Sequence, residues 1–374
     1  MRVEARGIVV IGAGPAGSMA AREAALRGLS PLLVERGESP GAGNACGGLV
    51  ASALCAALEL GPDVVECRIQ RTILRIDSRC VEFNSERPYF ISFRRANFDA
   101  FLAERAVQAG AELLVSTRVT GVDAAKRRVR LRDLVSGREH EVAARTIIFA
   151  DGPRTLAASA CGIGHRPGPA TTCGLVLELE GPYGDGRSIE IIVDTGAGAT
   201  GYFWVFPKRD CVQVGVGAPV HSSARPLPAR LKSFLETRPD LRERKVLSRR
   251  AALLPGGVAR RLVADGAMVV GDAAGLVNPL TGGGLIFAVL SGQMAGQVAA
   301  DAVISGQTEA DSLRRYRRYL QRTPQYLWLK VMACCRRSVG FLDPHRPARA
   351  YATMLERYLG FIHLMRLPIR LLLR

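Results

Sequence analysis

A short β-branched run, Gly7-Ile-Val-Val-Ile11, leads straight into Gly12-Ala-Gly14-Pro15-Ala16-Gly17. The alanine-rich stretch from Ser18 to Arg27 then reads as a helix, and Pro31 to Val34 as a second buried strand ending at Glu35. Strand, glycine turn, helix, strand and acid in this order form the whole dinucleotide-binding unit rather than an isolated glycine motif. Gly12 allows the tight turn, Gly14 lets the backbone approach a pyrophosphate, and Gly17 lets helix and strand pack closely. The helix N-terminus offers free N–H groups and a partial positive charge to phosphates. Glu35 suits the hydroxyls of an adenosine ribose and would repel a 2′-phosphate. The alternative is a βα unit with a glycine turn and no ligand, against which the flanking strands and Glu35 weigh.

Bulk properties limit the rest. A length of 374 residues suits two domains or one large α/β body. With 48% hydrophobic residues, 23% charged and 40 glycines, the chain reads as folded α/β. Nine scattered cysteines, with no C-x-x-C pair, fit a reducing, cytoplasmic compartment better than a disulfide framework or a zinc site. The five histidines are not paired at ligand spacing, so no metal is expected. The glycine turn interrupts the N-terminal apolar run, which argues against a secretory signal. No stretch reads as the roughly 18 uncharged apolar residues that span a bilayer. Of the formal charge of +17, a net +10 lies in residues 307–374, which hold 14 Lys/Arg against 4 Asp/Glu. No nucleic-acid motif or aromatic platform accompanies it, so the basic region is read as suited to an anionic membrane surface.

Along the chain, a glycine-rich loop from Gly41 to Gly48 contains Cys46-Gly47-Gly48. It leaves the second strand near where a dinucleotide would lie. It is either a surface loop with an incidental thiol or a backbone pressed against a flat ring. Ala51 to Leu60 looks helical; Arg68–Ile76, Cys80–Phe83 and Tyr89–Phe93 look like strands. Arg95-Ala-Asn-Phe98-Asp99 opens a helix to about Gln108, and Gly110–Val115 is a buried strand. Val119–Val122, Arg127–Asp133 and His140–Ala144 fit an antiparallel meander, followed by a strand Thr146–Phe149 that ends in Ala150-Asp151-Gly152. Thr171–Leu179, Ser188–Val193, Gly201–Phe206 and Cys211–Val216 are β-rich. Alternation puts Tyr202, Trp204 and Phe206 on one face, as sheet core or as a cavity wall. Pro226–Thr237 reads as a helix, and the basic residues from Arg225 to Arg250 as a solvated face. Ala267-Met-Val-Val ends in Gly271-Asp272; Asn278-Pro279-Leu-Thr-Gly282-Gly283-Gly284 then opens a long apolar helix from Leu285 to about Ile304. Bare N–H groups at Gly283, Gly284 and Leu285 would form a second anion hole. Leu313–Leu320, Tyr326–Met332 and Tyr358–Leu373 mark the tail, with Pro368 interrupting the last. That last segment either docks on the protein's own body or lies in a lipid interface.

Taken in order, Gly12-x-Gly14-x-x-Gly17 with Glu35, Ala150-Asp151-Gly152 and Gly271-Asp272 resemble the FAD-dependent group that includes p-hydroxybenzoate hydroxylase. Arg95, ahead of Phe98-Asp99, matches the arginine that contacts FAD in that group. Cys46-Gly47-Gly48, Tyr202-x-Trp204-x-Phe206-Pro207 and Pro279-Leu-Thr-Gly282-Gly283-Gly284 are similar to the geranylgeranyl reductase family. The resemblance implies FAD contacts at Gly12, Gly14, Pro15, Ala16 and Gly17, and at Glu35 and Arg36. It implies more at Cys46, Gly47 and Gly48, at Arg95 and Val119, and at Asp151 and Gly152. The last group is Asp272, Pro279, Gly282, Gly283, Gly284 and Leu285. It further implies reduction of C=C bonds in a polyprenyl chain by hydride from reduced flavin, the chain being carried by a lipid or a diphosphate. Tyr202, Trp204 and Phe206 would line its tunnel, and Cys46 would stand near the flavin to position substrate or assist proton delivery. No second dinucleotide fingerprint exists, so NAD(P)H or another reductant would visit transiently.

The expected fold is α/β (α+β): a Rossmann-like FAD-binding domain with an inserted antiparallel-sheet substrate domain and a C-terminal helical region. The FAD-binding domain is expected to take residues 1–67, 95–165 and 251–306, the substrate domain 68–94 and 166–250, and the helical region 307–374. Two other functions compete with the reductase: an aromatic monooxygenase of the same fold, and a membrane-associated flavoprotein without turnover. Nothing in the sequence specifies an oligomeric state.

Overall fold

The computed structural model describes residues 4–168, 170–193, 201–220, 225–342 and 347–365. Its largest sheet has eight strands around a parallel centre. Glu4–Ile11 lies between Glu139–Phe149 and Leu32–Val34, which in turn pairs with Glu112–Leu114; Ala267–Val269 pairs parallel to Glu139–Phe149 on its other side. The register aligns Ile11 with Phe149 and Val34, Val34 with Leu114, and Phe149 with Val269. The carboxyl ends of these strands therefore form one line. Gly12, Glu35, Ala150 and Val270-Gly271 follow directly from it, which is why motifs far apart in sequence meet at one edge.

Two helices cover this sheet. Pro15–Ala25 packs along the long helix Leu285–Ser305 and against Arg95–Gln108. The first two touch through backbone: a Cβ at Gly292 would lie 2.1 Å from the Ala16 oxygen, and one at Gly296 would lie 2.3 Å from the Ala20 oxygen. The long helix has the length and composition to cross a membrane, contrary to the sequence expectation, yet 72% of its most apolar window is buried inside the protein. Serine, glycine and glutamine residues interrupt the apolar run in the sequence, and in the fold the first helix and the sheet cover the helix.

A second sheet of seven strands runs, edge to edge, through Val246–Leu254, Thr172–Glu180, Cys211–Pro219, Tyr202–Pro207, Ser188–Val193, Arg71–Ile76 and Arg79–Asn84. All its pairs are antiparallel except Ser188–Val193 with Arg71–Ile76. Alternation divides its strands between two cores. Trp204 and Phe206 join Ile189, Ile191 and Leu74 on one face, covered by Met332, Tyr351, Leu355 and Leu359 from the helices Pro324–Leu342 and Pro347–Met365. Phe203 and Val205 face the other way, against the helices Leu227–Glu236 and Pro239–Arg242. A third, three-stranded sheet joins Leu49–Ala51, Phe90–Phe93 and Val65–Ile69.

Several local expectations change. Arg68–Ile76 is not one strand: the chain switches sheets at Gln70, where the Arg187 carbonyl takes the N–H of both Gln70 and Arg71. The two strands expected within 140–149 are one, Glu139–Phe149, because its first half pairs on both edges. The helix after the glycine-rich loop is only Ser52–Ala57. Nor is the basic run of 225–250 uniformly solvated. Arg230 is buried over the Phe203 ring, and Arg238 lies over Phe234 while binding Glu190 and Asp240. Arg244 donates to the carbonyls of Gly181 and Pro182. The last apolar segment begins within the helix Pro347–Met365, whose Tyr351, Leu355 and Leu359 dock on the protein's own body; residues 366–374, with Pro368, lie outside the described residues.

Candidate active site

At the edge of the first sheet, Gly12 has φ +98° and donates its N–H to the Val34 carbonyl at 2.7 Å. A side chain at Gly17 would collide with the Gly12 oxygen at 1.8 Å. Glu35 is anchored at both oxygens, accepting from Ala13 N at 2.9 Å and Gly37 N at 2.8 Å. Its carboxylate is thus fixed beside the glycine turn with lone pairs to spare for hydroxyl donors. The helix that follows starts at Gly14 with no side-chain cap and Pro15 in its first turn, leaving its N-terminus available to an anion.

Asp151 accepts from Leu156 N at 2.7 Å through one oxygen. Its other oxygen is buried with no hydrogen-bond partner among the described residues, and burial pushes the carboxyl above its ordinary pKa. Such an orphaned acceptor is what a bound hydroxyl or N–H would satisfy. Asp272 follows Gly271, whose N–H donates to Ser291 Oγ at 2.9 Å. Apolar surroundings push the Asp272 carboxyl up to about 6, against the pull of Arg95. Arg95 is held by a two-pronged contact with buried Asp99, at 2.7 and 2.6 Å.

The second anion hole differs from expectation. Gly283 N is taken by Thr281 Oγ1 at 3.3 Å, while Gly284 caps the long helix without a side-chain partner. Three aromatic hydroxyls hold the loop that carries it. Tyr202 donates to Thr281 O at 2.5 Å, Tyr351 donates to Leu280 O at 2.6 Å, and Tyr358 accepts from Asn278 Nδ2 at 3.2 Å.

These groups border one cavity of about 2340 Å³. It runs from Gly12, Gly14, Pro15, Ala16, Glu35 and Arg36 past Arg95, Val119, Asp151, Gly152, Asp272, Pro279 and Gly282 to Leu285. It continues past Cys46, Gly47 and Gly48 to Tyr202, Trp204 and Phe206. The structure therefore brings together every candidate cofactor-binding, tunnel-lining and catalytic residue of the sequence except Gly17, which packs beneath the turn. The volume is more than twice the usual upper bound of about 1,000 Å³ for a single-ligand pocket. Trp204 Nε1 is buried without a hydrogen-bond partner among the described residues. A Cβ on Gly47 would meet Phe206 at 2.8 Å, so the Cys46 turn lies directly on the aromatic wall.

Sequence reasoning missed Lys208, which is 1% exposed behind that turn. The alternation through Tyr202, Trp204 and Phe206 reaches Lys208 next, but lysines are so rarely buried that the sequence reads as a strand ending at Phe206. It also missed Tyr351 and Tyr358, which lie far along the chain from the loop they hold.

The chain and its fold have known counterparts. The sequence model of a family described as lycopene cyclase protein matches residues 7–339. Digeranylgeranylglycerophospholipid reductase 1 of Methanothermobacter thermautotrophicus is 34% identical over 329 residues, covering 83% of this chain and 81% of that one. The reductase of the same name from Methanopyrus kandleri is 34% identical over 330 residues, covering 83% and 84%. Among solved structures, a geranylgeranyl bacteriochlorophyll reductase-like protein from Thermoplasma acidophilum superposes with a TM-score of 0.80 at 25% identity, over 89% of this chain and 88% of that one. With this extent of likeness and the assembled dinucleotide edge, the chain belongs to the geranylgeranyl reductase family of FAD-dependent oxidoreductases.

Proposed function

We propose that the protein reduces C=C bonds in geranylgeranyl-type chains of a phospholipid or diphosphate. The observation that carries this reading is the single cavity joining the dinucleotide edge to an aromatic, apolar chamber, with room for a cofactor and a long chain together. FAD, when bound, supplies hydride to the alkene. The chain's own residues do the rest. The helix beginning at Pro15 receives the pyrophosphate, Glu35 the ribose, and Asp151 and Asp272 offer acceptors to polyol or ring N–H groups. Arg95, held rigid by Asp99, and the capless start of the long helix at Gly284 stabilise negative charge.

Isolated alkenes are poor hydride acceptors, so placement and exclusion of water carry much of the rate. Trp204 and Phe206 form a dry wall on which the prenyl chain lies, and Tyr202 both lines the wall and holds the loop at Thr281. Cys46 borders the cavity on the turn that lies against the aromatic wall, which suits it to position the chain or to assist proton delivery. Arg336 and Arg337 border the same cavity and suit an anionic head group. A discontinuous FAD-binding domain (1–67, 95–165, 251–306), a substrate domain (68–94, 166–250) and a helical region (307–374) fit the two large sheets, although Val246–Leu254 of the second sheet runs past 250 and the three-stranded sheet joins Leu49–Ala51 and Val65–Ile69 to Phe90–Phe93 across the boundary. NAD(P)H, or another reductant, would supply the electrons as a transient visitor. The net +10 of residues 307–374 and the exposed Leu327, Val331 and Phe361 support work at an anionic membrane surface facing the cytoplasm.

The test is to reduce the FAD-loaded protein anaerobically and add geranylgeranyl diphosphate or a geranylgeranyl glycerolipid. Reoxidation of the flavin with a product heavier by one H2 per bond is the expected result. Oxygen uptake stimulated by a phenol would replace this reading with a monooxygenase. A product of unchanged mass would point to cyclisation or isomerisation, and no reoxidation by any prenyl compound to a binder without turnover.

A further inference from the structure

Lys208 follows the aromatic strand and ends behind the Cys46-Gly47-Gly48 turn, outside the cavity. Its Nζ donates to Gly47 O at 3.0 Å, Gly48 O at 3.0 Å and Ser92 Oγ at 2.8 Å. Two of these partners are carbonyls, which only accept. Ser92 has already committed its hydrogen to Pro207 O at 2.5 Å, so toward Lys208 it too only accepts. Three acceptors around one nitrogen require three N–H bonds, which is the ammonium. A neutral amine would turn a lone pair onto an oxygen.

The turn itself has little freedom. Gly48 has φ +59°, and a Cβ there would lie 1.9 Å from Phe93 O. Its carbonyl accepts from Phe93 N at 2.9 Å as well as from Lys208, and its N–H reaches Cys46 Sγ at 3.3 Å. Gly47 is pressed on Phe206. The position of the thiol is therefore transmitted from Lys208 through Gly47 and Gly48.

We propose that Lys208 is a positioning residue for the reaction: its ammonium clasps the Cys46 turn from behind and so sets where the thiol stands against the prenyl chain. The role of Lys208 rests on the reading of the cavity as a prenyl site. Burial pushes the ammonium down to about 8; the groups that face it are the thiols of Cys46 in the turn, Cys211 in the neighbouring strand and Cys67 in the strand Val65–Ile69, which oppose that fall only when ionised, and the Glu66 carboxylate of the same strand. The clasp accordingly opens on the alkaline side of neutrality.

The experiment uses the full-length, FAD-loaded protein and follows alkylation of Cys46 by iodoacetamide, read by peptide mass spectrometry across the neutral to alkaline range. K208M and S92A are compared with the wild type, and kcat and KM for geranylgeranyl diphosphate are measured alongside. Alkylation follows the thiolate fraction in every variant; beyond that common rise, the wild-type Cys46 rate should show a separate break near the Lys208 titration. K208M should lose that break and change the rate at neutral pH by about tenfold. S92A, which keeps the lysine but removes one acceptor, should shift it less and in the same direction. Prenyl reduction by K208M should lose about 10- to 100-fold in kcat with KM little changed. A K208M protein with the wild-type Cys46 profile overturns the proposal. If K208M does not fold, a wild-type profile with only the common thiolate rise, or an S92A rate equal to wild type, overturns it instead. Absence of prenyl turnover in the wild type with the Cys46 break intact would remove the substrate reading and leave the clasp standing.

Discussion

The contact between the first helix and the long helix yields a sharp test. Gly292 and Gly296 are one turn apart and face the backbone of Ala16 and Ala20. The obstacles that a methyl group would meet, at 2.1 and 2.3 Å, are carbonyl oxygens, so no side-chain rotation relieves them. The helices must separate by about 1 Å to regain ordinary contact distances. Overpacking costs about 1–3 kcal/mol per site, and the better helix propensity of alanine returns about 1 kcal/mol. With rigid backbone on both sides the upper range applies, so G292A/G296A should lose about 2–4 kcal/mol. Gly360 supplies the control, because a Cβ there meets only Phe83 at 3.6 Å. G360A should therefore gain up to about 1 kcal/mol from propensity alone. Separating the two helices also displaces both capless N-termini, at Gly14 and Gly284, and should weaken FAD by about tenfold or more, or about 1.4 kcal/mol. Urea unfolding of the flavin-free protein measures the first effect, and quenching of FAD fluorescence the second. If the double variant matched wild type in both, or G360A were equally damaging, close backbone contact would not be what sets the geometry of this site.

Other outcomes follow from single contacts. Y202F removes the donor to Thr281 O and should cost about 1–2 kcal/mol, seen as weaker FAD binding in the same titration. D272N should have opposite effects on stability and binding. Asp272 titrates near 6 when folded, above its unfolded value of 3.8, so its charge costs stability that grows from pH 3.8 to 6 and is full at neutrality. The flavin-free variant should then be more stable than wild type at pH 7, by at most about 3 kcal/mol, and equal to it below pH 3.8, while binding FAD less well. Glu190 behaves in the reverse sense. Burial disfavours its charge, but Tyr183 and Arg238 outweigh this and hold its carboxyl below the ordinary 4.5. Its contribution is present above 4.5 and is lost as pH falls through the folded value, so E190Q should cost about 3 kcal/mol by urea unfolding at pH 7 and much less in strong acid.

The dinucleotide edge was legible because its chemistry is local. Gly12 to Gly17, Glu35, Ala150-Asp151-Gly152 and Gly271-Asp272 each sit at the end of a short apolar strand, and parallel pairing then aligns those ends without further instruction. The shared face of Tyr202, Trp204 and Phe206 followed from the two-residue period of a strand. What stayed hidden depends on partners distant in sequence. Arg230 and Arg238 look like surface residues until Phe203, Phe234 and Glu190 are folded against them. Lys208 looks like the end of a strand until three acceptors from two other segments enclose it. The free N–H expected at Gly283 was lost to a hydroxyl only two residues away, a turn geometry that composition does not reveal.

The tyrosine contacts on the loop from Asn278 to Gly284 also impose an order in time. Tyr351 follows its partner Leu280 by 71 residues, and Tyr358 follows Asn278 by 80. Translation proceeds from the N-terminus at about 5–20 residues per second, so the glycine turn and Glu35 emerge from the ribosome long before the helix Pro347–Met365 that secures the opposite wall. Before that helix has been made and docked, Tyr202 alone of the three tyrosines can hold the loop. A chain that stalls earlier therefore displays the whole nucleotide fingerprint with one wall of its cavity only partly fastened.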